Sequence, residues 1–179
     1  ADMRTMFIAG HETTAVSLTW LAYRLALHPG KQAEWMSESA VIGTVKEELR
    51  LNPPVAVTGR QLMRQTTLGD ILLQPGNIIH IPILEIHRSP LWWGQDAHEF
   101  NPHRWKNPIA KGSWLPFGDG PRACAGAAFA IKEMTEFLKF FKNRGGRFVL
   151  PPGVQKPIPK LGFTRKPQEP LYLKIEFIR

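Results

Sequence analysis

Cys124 is the one cysteine in 179 residues, and it stands in the stretch "WLPFGDGPRACAG", Trp114 to Gly126. A lone thiol forms no internal disulfide and cannot supply a zinc site of several thiolates. Three chemistries stay open for it: a buried spectator, a nucleophile, or a single thiolate ligand to a cofactor. Downstream, Ile131, Met134, Leu138 and Phe141 recur at three- and four-residue spacing among charged residues. That period predicts an amphipathic helix from Ala127, ended by Gly145 and Gly146. Cys124 thus precedes a helix N-terminus, where free N–H groups and the helix dipole favour a thiolate over a thiol. Gly118, Gly120 and Gly126 let the loop backbone lie close against a flat object. Arg122 adds positive charge beside it. An anionic sulfur at an open surface suits a ligand or a nucleophile better than a core filler.

Two further groups could carry chemistry. "AGHETT", Ala9 to Thr14, puts a glycine, an acid and two threonines in one turn of a helical stretch. Glycine weakens a helix, and threonine hydroxyls bond back to carbonyls one turn earlier, so this turn is expected to bend or open. Beside Glu12 and Thr13 such a turn can hold a small ligand and relay protons; an ordinary exposed polar turn is the alternative. "EELR" places Glu47 and Arg50 at i and i+3, close enough to pair. An exposed pair of this kind contributes little unless further charges join it in a buried group.

The elements that must position these residues follow from periodicity. Residues 1–27 read as one long helix, stopped by His28-Pro29-Gly30. A second helix is expected over Lys31–Glu38 and a third over Ala40–Leu51, before Pro53-Pro54. From Val55 to Ile86 alternation replaces the helical period, with turns at Leu68-Gly69-Asp70 and Pro75-Gly76. Two or three short strands are expected there, and Pro82 marks an edge or a strand end. "HRSPLWWGQDAHEFNPHRW" reads as loop with short helical turns. The tail, Phe148 to Arg179, is proline-rich and then alternating, which predicts a small terminal hairpin.

The motifs in this order resemble the cytochrome P-450 superfamily. Phe117, Gly120, Arg122, Cys124 and Gly126 match F-x-x-G-x-R-x-C-x-G, the pattern of that family's haem loop, at every fixed position. "AGHETT" is similar to its oxygen-activation segment, "EELR" to its E-x-x-R motif, and "FNPHRW" to the segment that supplies a second arginine, Arg104. The resemblance implies a mainly α fold with small β-sheets: the C-terminal part of a single cytochrome P-450 domain over residues 1–179, with the N-terminal part absent. It implies haem b with Cys124 as axial thiolate, which pushes electron density to the iron and favours O–O cleavage. Phe117 would pack near the sulfur, with Gly120 and Gly126 in the cofactor loop. Arg122 and Arg60 would meet the haem propionates. Glu12 and Thr13 would deliver protons during oxygen activation. Glu47, Arg50 and Arg104 would form a buried structural network.

The activity so implied is a haem-thiolate monooxygenase that oxidises a small organic substrate with electrons from NAD(P)H through a redox partner. A cysteine-nucleophile hydrolase is the alternative from another class. It needs a glycine two residues before the nucleophile, where Arg122 stands, and a basic histidine within reach. An inactive truncated remnant is a third reading. The short span from His28-Pro29 to Glu47 looks like two pieces joined across a deletion. The formal charge of +8 favours an acidic partner, a ferredoxin or the flavin domain of a reductase, facing Lys132, Lys139, Lys142, Arg144 and Arg147. The basic residues are scattered and carry no nucleic-acid signature. No signal peptide or membrane-spanning run is present in the sequence. The location is expected to be cytoplasmic if the source is bacterial, and membrane-anchored if a preceding segment carries an anchor.

Overall fold

The long N-terminal helix buries only its second half. In the computed structural model, which describes residues 2–160 and 162–177, α1 spans Asp2–Leu27. Its buried apolar residues, Val16, Trp20, Leu21, Leu25 and Ala26, lie C-terminal to the "AGHETT" turn, while Met3, Met6, Phe7 and Ile8 are exposed. The helix runs unbroken through that turn. Thr13 Oγ1 donates to Ala9 O at 2.7 Å, the expected back-bond, without opening the ladder. The expected helix start at Ala1, and Ile178 and Arg179 at the end of the tail, lie outside the described residues.

The second helix is shorter than its sequence pattern. A 3-10 turn at Pro29–Lys31 leads into α2, Gln32–Trp35. Ser37 N–H then bonds to Glu34 O and Ala40 N–H to Ser37 O, both i to i+3, and the chain turns before α3, Val41–Leu51. Ser37 and Ser39 pair through their hydroxyls at 3.3 Å, and serines offer the backbone such alternatives to helix. Val41, Val45 and Leu49 of α3 join Leu21 and Leu25 of α1 in the main core. Met134, Leu138 and Phe141 complete it from α6, Ala127–Asn143.

Between α3 and α6 lie two nested antiparallel pairs. β1 (Thr58–Gln61) pairs with β4 (Ile78–Ile81), Arg60 opposite Ile79. Inside it, β2 (Thr66–Leu68) pairs with β3 (Ile71–Leu73) across the Gly69-Asp70 turn. Pro82 ends β4, as expected of a residue that cannot donate to a ladder. The alternation read onward to Ile86 is overturned there. Ile83–Arg88 is helix α4, with Ile83 and His87 buried one turn apart, followed by α5, Pro90–Trp93. A 3-10 turn at Pro102–Lys106 packs against α3.

The tail pairs at longer range than a terminal hairpin. β5 (Gly146–Val149) starts directly after the stop of α6 and pairs with β8 (Lys174–Phe177). The local hairpin, β6 (Pro159–Lys160) with β7 (Lys166–Pro167), sits between them in sequence. Phe148 decides this arrangement: it is buried and stacks on Phe141 with ring centroids 4.2 Å apart. The Gln32 carboxamide clamps the Phe148 backbone both ways, donating to its carbonyl at 2.7 Å and accepting its N–H at 3.0 Å.

Candidate functional site

The site is built outward from Glu47. α3 presents Glu47 and Arg50 on one face, and both are fully buried. Arg50 Nε donates to Glu47 Oε2 at 2.9 Å and Nη2 to Oε1 at 2.8 Å, a bidentate fork. Its remaining N–H groups reach the carbonyls of His87 (2.7 Å), Ala97 (2.6 Å) and Glu99 (3.0 Å). All five guanidinium donors are therefore satisfied. Glu47 is equally enclosed. Oε1 also accepts from Arg104 Nε at 3.0 Å and Asn101 N–H at 2.9 Å, and Oε2 from the Trp105 indole at 3.0 Å. Arg104 continues to Asp96 at 2.9 Å and holds that carboxyl below its ordinary range.

The structure thus joins "EELR" to "FNPHRW". Two elements meet on one carboxylate, α3 and the Pro102–Lys106 turn with its cap Asn101, and they touch closely. A Cβ on Gly43 would come within 2.6 Å of Pro102 O. Sequence reading assigned no part to Trp105 or Asn101, although both stand beside Arg104 in the quoted segment. It also passed over His87, whose signal was the i, i+4 spacing with Ile83.

His87 carries the network to the cysteine loop. Its ring is fully buried, Nδ1 lies 3.1 Å from Arg50 O, and Nε2 accepts the Leu115 N–H at 2.7 Å. Burial is the main cause that pushes its pKa down, to about 4. The loop then folds on itself. Gly118 N–H bonds to Leu115 O, and Cys124 N–H to Phe117 O at 2.8 Å. Gly118 and Gly120 hold φ of 68° and 70°, a region that L side chains rarely enter. Phe117 packs edge-on against Trp114 and onto the core. Cys124 is exposed, and a Cβ at Gly126 would lie 3.9 Å from its sulfur.

The two propionate candidates stand differently. Arg60 lines a cleft of about 110 Å³ between the β1–β4 pair and loop residues Leu115, Gly118 and Asp119. Its Nη1 donates to Gly59 O at 2.9 Å and Thr58 Oγ1 at 3.3 Å. Arg122 is exposed in the 3-10 turn Gly120–Arg122. Among the described residues neither has a carboxylate partner. Glu12 is engaged instead: Thr164 Oγ1 donates to it at 2.9 Å and Lys166 Nζ at 3.1 Å. Those two groups, Thr164 first, hold its carboxyl below the ordinary range. Glu12 and Thr13 are thus adjacent on α1 but bonded in different directions.

Among the described residues no three His, Cys, Asp or Glu side chains gather to hold a metal. A metal at Cys124 therefore needs its other ligands from a prosthetic group. An exposed thiol, a glycine-bearing loop and two guanidiniums free of carboxylates suit an iron porphyrin with two propionates. A family model described as "Cytochrome P450" matches residues 1–169. The chain belongs to the cytochrome P450 family. Its mainly α architecture with small antiparallel sheets is that of a portion of the P450 fold. Curated P450 relatives bracket it. It is 31% identical to Cytochrome P450 714A2 of Arabidopsis thaliana over 86% of this chain and 34% of that protein. It is 37% identical to an Arabidopsis thaliana Cytokinin hydroxylase over 76% of this chain and 30% of the relative. With Putative cytochrome P450 cyp-13B1 of Caenorhabditis elegans it shares 35% identity over 93% of this chain and 37% of that protein. The chain spans about a third of the length of these P450 relatives.

The expected basic face is partly engaged. Lys139 pairs with Glu38 at 2.7 Å and Glu136 at 3.7 Å, and Lys132 with Glu136 at 3.7 Å. Arg144 stacks over Phe140 at 4.5 Å. Lys139, Lys142 and Phe140 line an open concavity of about 520 Å³ along α6, which contains none of the cysteine-loop residues. No described helix is long and apolar enough to cross a membrane.

Proposed function

We propose that this chain supplies the haem-binding part of a P450 monooxygenase, in which Cys124 would hold the iron of haem b as a thiolate. The observation that carries the reading is the exposed Cys124 thiol on a loop tied to the buried Glu47–Arg50 network. Bound haem would supply oxygen activation, helped by electron donation from the thiolate. The residues of the chain do the remaining work. Arg60 and Arg122 would bind the propionates, since guanidinium forks suit carboxylates. Gly120 and Gly126 keep side chains off the loop surface, and Phe117 covers the sulfur side. Glu47, Arg50 and Arg104 hold the loop from behind.

On the substrate side, Thr13 Oγ1 spends its proton on Ala9 O. Its lone pairs remain free to accept a hydrogen bond from water. Thr164 and Lys166 both bond Glu12 through Oε1, which leaves Oε2 as the oxygen to take up a proton. Thr13→Ala in the full protein is expected to raise peroxide release per NAD(P)H oxidised, with haem content unchanged. The substrate is a small organic molecule, and hydroxylation is supported by the relative named a hydroxylase. Electrons come from NAD(P)H through an acidic ferredoxin or flavin reductase.

The hydrolase alternative requires an imidazole at the thiol. Among the described residues no histidine hydrogen-bonds Cys124, and His87 is committed to Leu115 and Arg50. The test is a carbon monoxide difference spectrum on reduced, haem-loaded protein. A thiolate-type Soret band that Cys124→Ala removes is expected. A band that survives the substitution would overturn the assignment.

A further inference from the structure

We infer that His87 is a positioning residue: a neutral imidazole that sets the register of the cysteine loop against α3. The chemistry of its two contacts fixes its state. A backbone N–H can only donate, so Nε2, at 2.7 Å from Leu115 N, must accept with its lone pair. Nδ1 then carries the proton and donates to Arg50 O at 3.1 Å. That carbonyl belongs to the last turn of α3, where carbonyls lack helical partners. Arg88 Nε serves the next one, Leu51 O, at 3.2 Å. The link to Arg50 is reciprocal, because Arg50 Nη1 donates to His87 O.

Two rigid bodies are therefore joined through one ring. On one side stands the buried Glu47–Arg50 pair with half-buried Arg104, the Arg50 donors divided between the Glu47 carboxylate and three backbone carbonyls. On the other, Leu115 opens the loop: its carbonyl accepts Gly118 N–H, and Phe117 O accepts Cys124 N–H. A shift of Leu115 would carry Phe117 and hence Cys124. Among the described residues no other side chain bonds Leu115 N. Burial disfavours the imidazolium, which keeps the acceptor available at neutral pH. The consequence for metal binding rests on the reading of Cys124 as ligand, but the placement of the loop does not.

Asparagine reaches about as far as Nδ1 and glutamine about as far as Nε2. His87→Asn should keep the bond to Arg50 O and lose the acceptor for Leu115 N–H, whereas His87→Gln should present an amide oxygen to Leu115. Amide hydrogen exchange on the full chain separates the two. The Leu115 and Cys124 amides should exchange faster by about tenfold or more in His87→Asn, the scale of one lost hydrogen bond. They should return toward wild-type rates in His87→Gln, and α3 amides should be less affected than the loop in both. Equal acceleration of α3 and the loop in both variants, or unchanged Leu115 exchange in His87→Asn, would overturn the proposal. Should either variant fail to fold, imidazole ¹⁵N shifts of the wild-type chain decide: Nδ1 must be protonated and Nε2 bare at neutral pH, and the opposite tautomer overturns it. Haem that failed to bind a chain with normal Leu115 protection would count against the proposed function alone.

Discussion

Glu47 Oε2 accepts the Trp105 indole N–H at 3.0 Å across 58 residues of sequence, while Arg50 forks the same carboxylate. A fully buried charge is tolerable only when enclosed in this way. The carboxylate is the point on which α3 and the Pro102–Lys106 turn are fastened.

Removing it should therefore act on stability before it acts on chemistry. Glu47→Ala leaves the fully buried Arg50 without its carboxylate, and half-buried Arg104 without one of its two, a loss of about 3–5 kcal/mol. Urea unfolding should show this, with haem-free protein on purification. A variant of wild-type midpoint and haem content would refute it.

Gly43→Ala tests the same junction without touching charge. Alanine is the better helix former by up to about 1 kcal/mol. Its methyl would meet Pro102 O at 2.6 Å, a backbone atom that cannot swing aside. Overpacking of about 1–3 kcal/mol should win, and the thermal midpoint should fall. A rise in midpoint would show that the turn carrying Arg104 and Trp105 yields easily.

His87 predicts an acid limb. Its pKa is about 4 folded against an ordinary 6.5. Between these values the unfolded chain binds more protons, so stability rises with pH. The contribution, about 3 kcal/mol from that shift, is complete above about pH 6.5 and is lost as pH falls toward 4. Arg50 and Arg88, the charged groups facing the ring, add to the effect of burial. Burial shifts His28 in the same direction, so the comparison is with His87→Gln. Its unfolding midpoint should lose much of the pH dependence over this window. Identical slopes would refute the assignment.

The electron-donor face is tested by salt. Lys139 is held by Glu38, so Lys142 and Arg144 are the more available charges. In the full protein, Lys142→Glu with Arg144→Glu should slow reduction by an acidic partner most at low ionic strength. Exposed charges are screened over about 10 Å at roughly 0.1 M salt. Lys139→Ala should have the smaller effect. Equal rates at every salt concentration would place docking elsewhere.

How far these residues could be read in advance depended on range. Cys124, Gly120 and Arg122 lie within one short loop, and Glu47 and Arg50 within one helical turn, so spacing alone brought them together. The long helix and α6 announced themselves by period. His87 escaped because "IPILEIH" alternates well enough to pass for a strand, and its two partners are backbone atoms with no sequence signal. The pairing of β5 with β8 was hidden for the same reason: their ladder is written in main-chain groups, and a buried Phe148 selects it. Glu12 looked like a free acid in a polar turn, yet its partners Thr164 and Lys166 lie more than 150 residues away.

The Gln32 clamp on Phe148 has a bearing on how this chain behaves in a crowd. β5 has a strand on one side only, and an open strand edge is a template on which other chains can add. Gln32 occupies the N–H and the carbonyl of Phe148 together. One carboxamide thus imitates a neighbouring strand at its most apolar position and denies that position to an incoming chain.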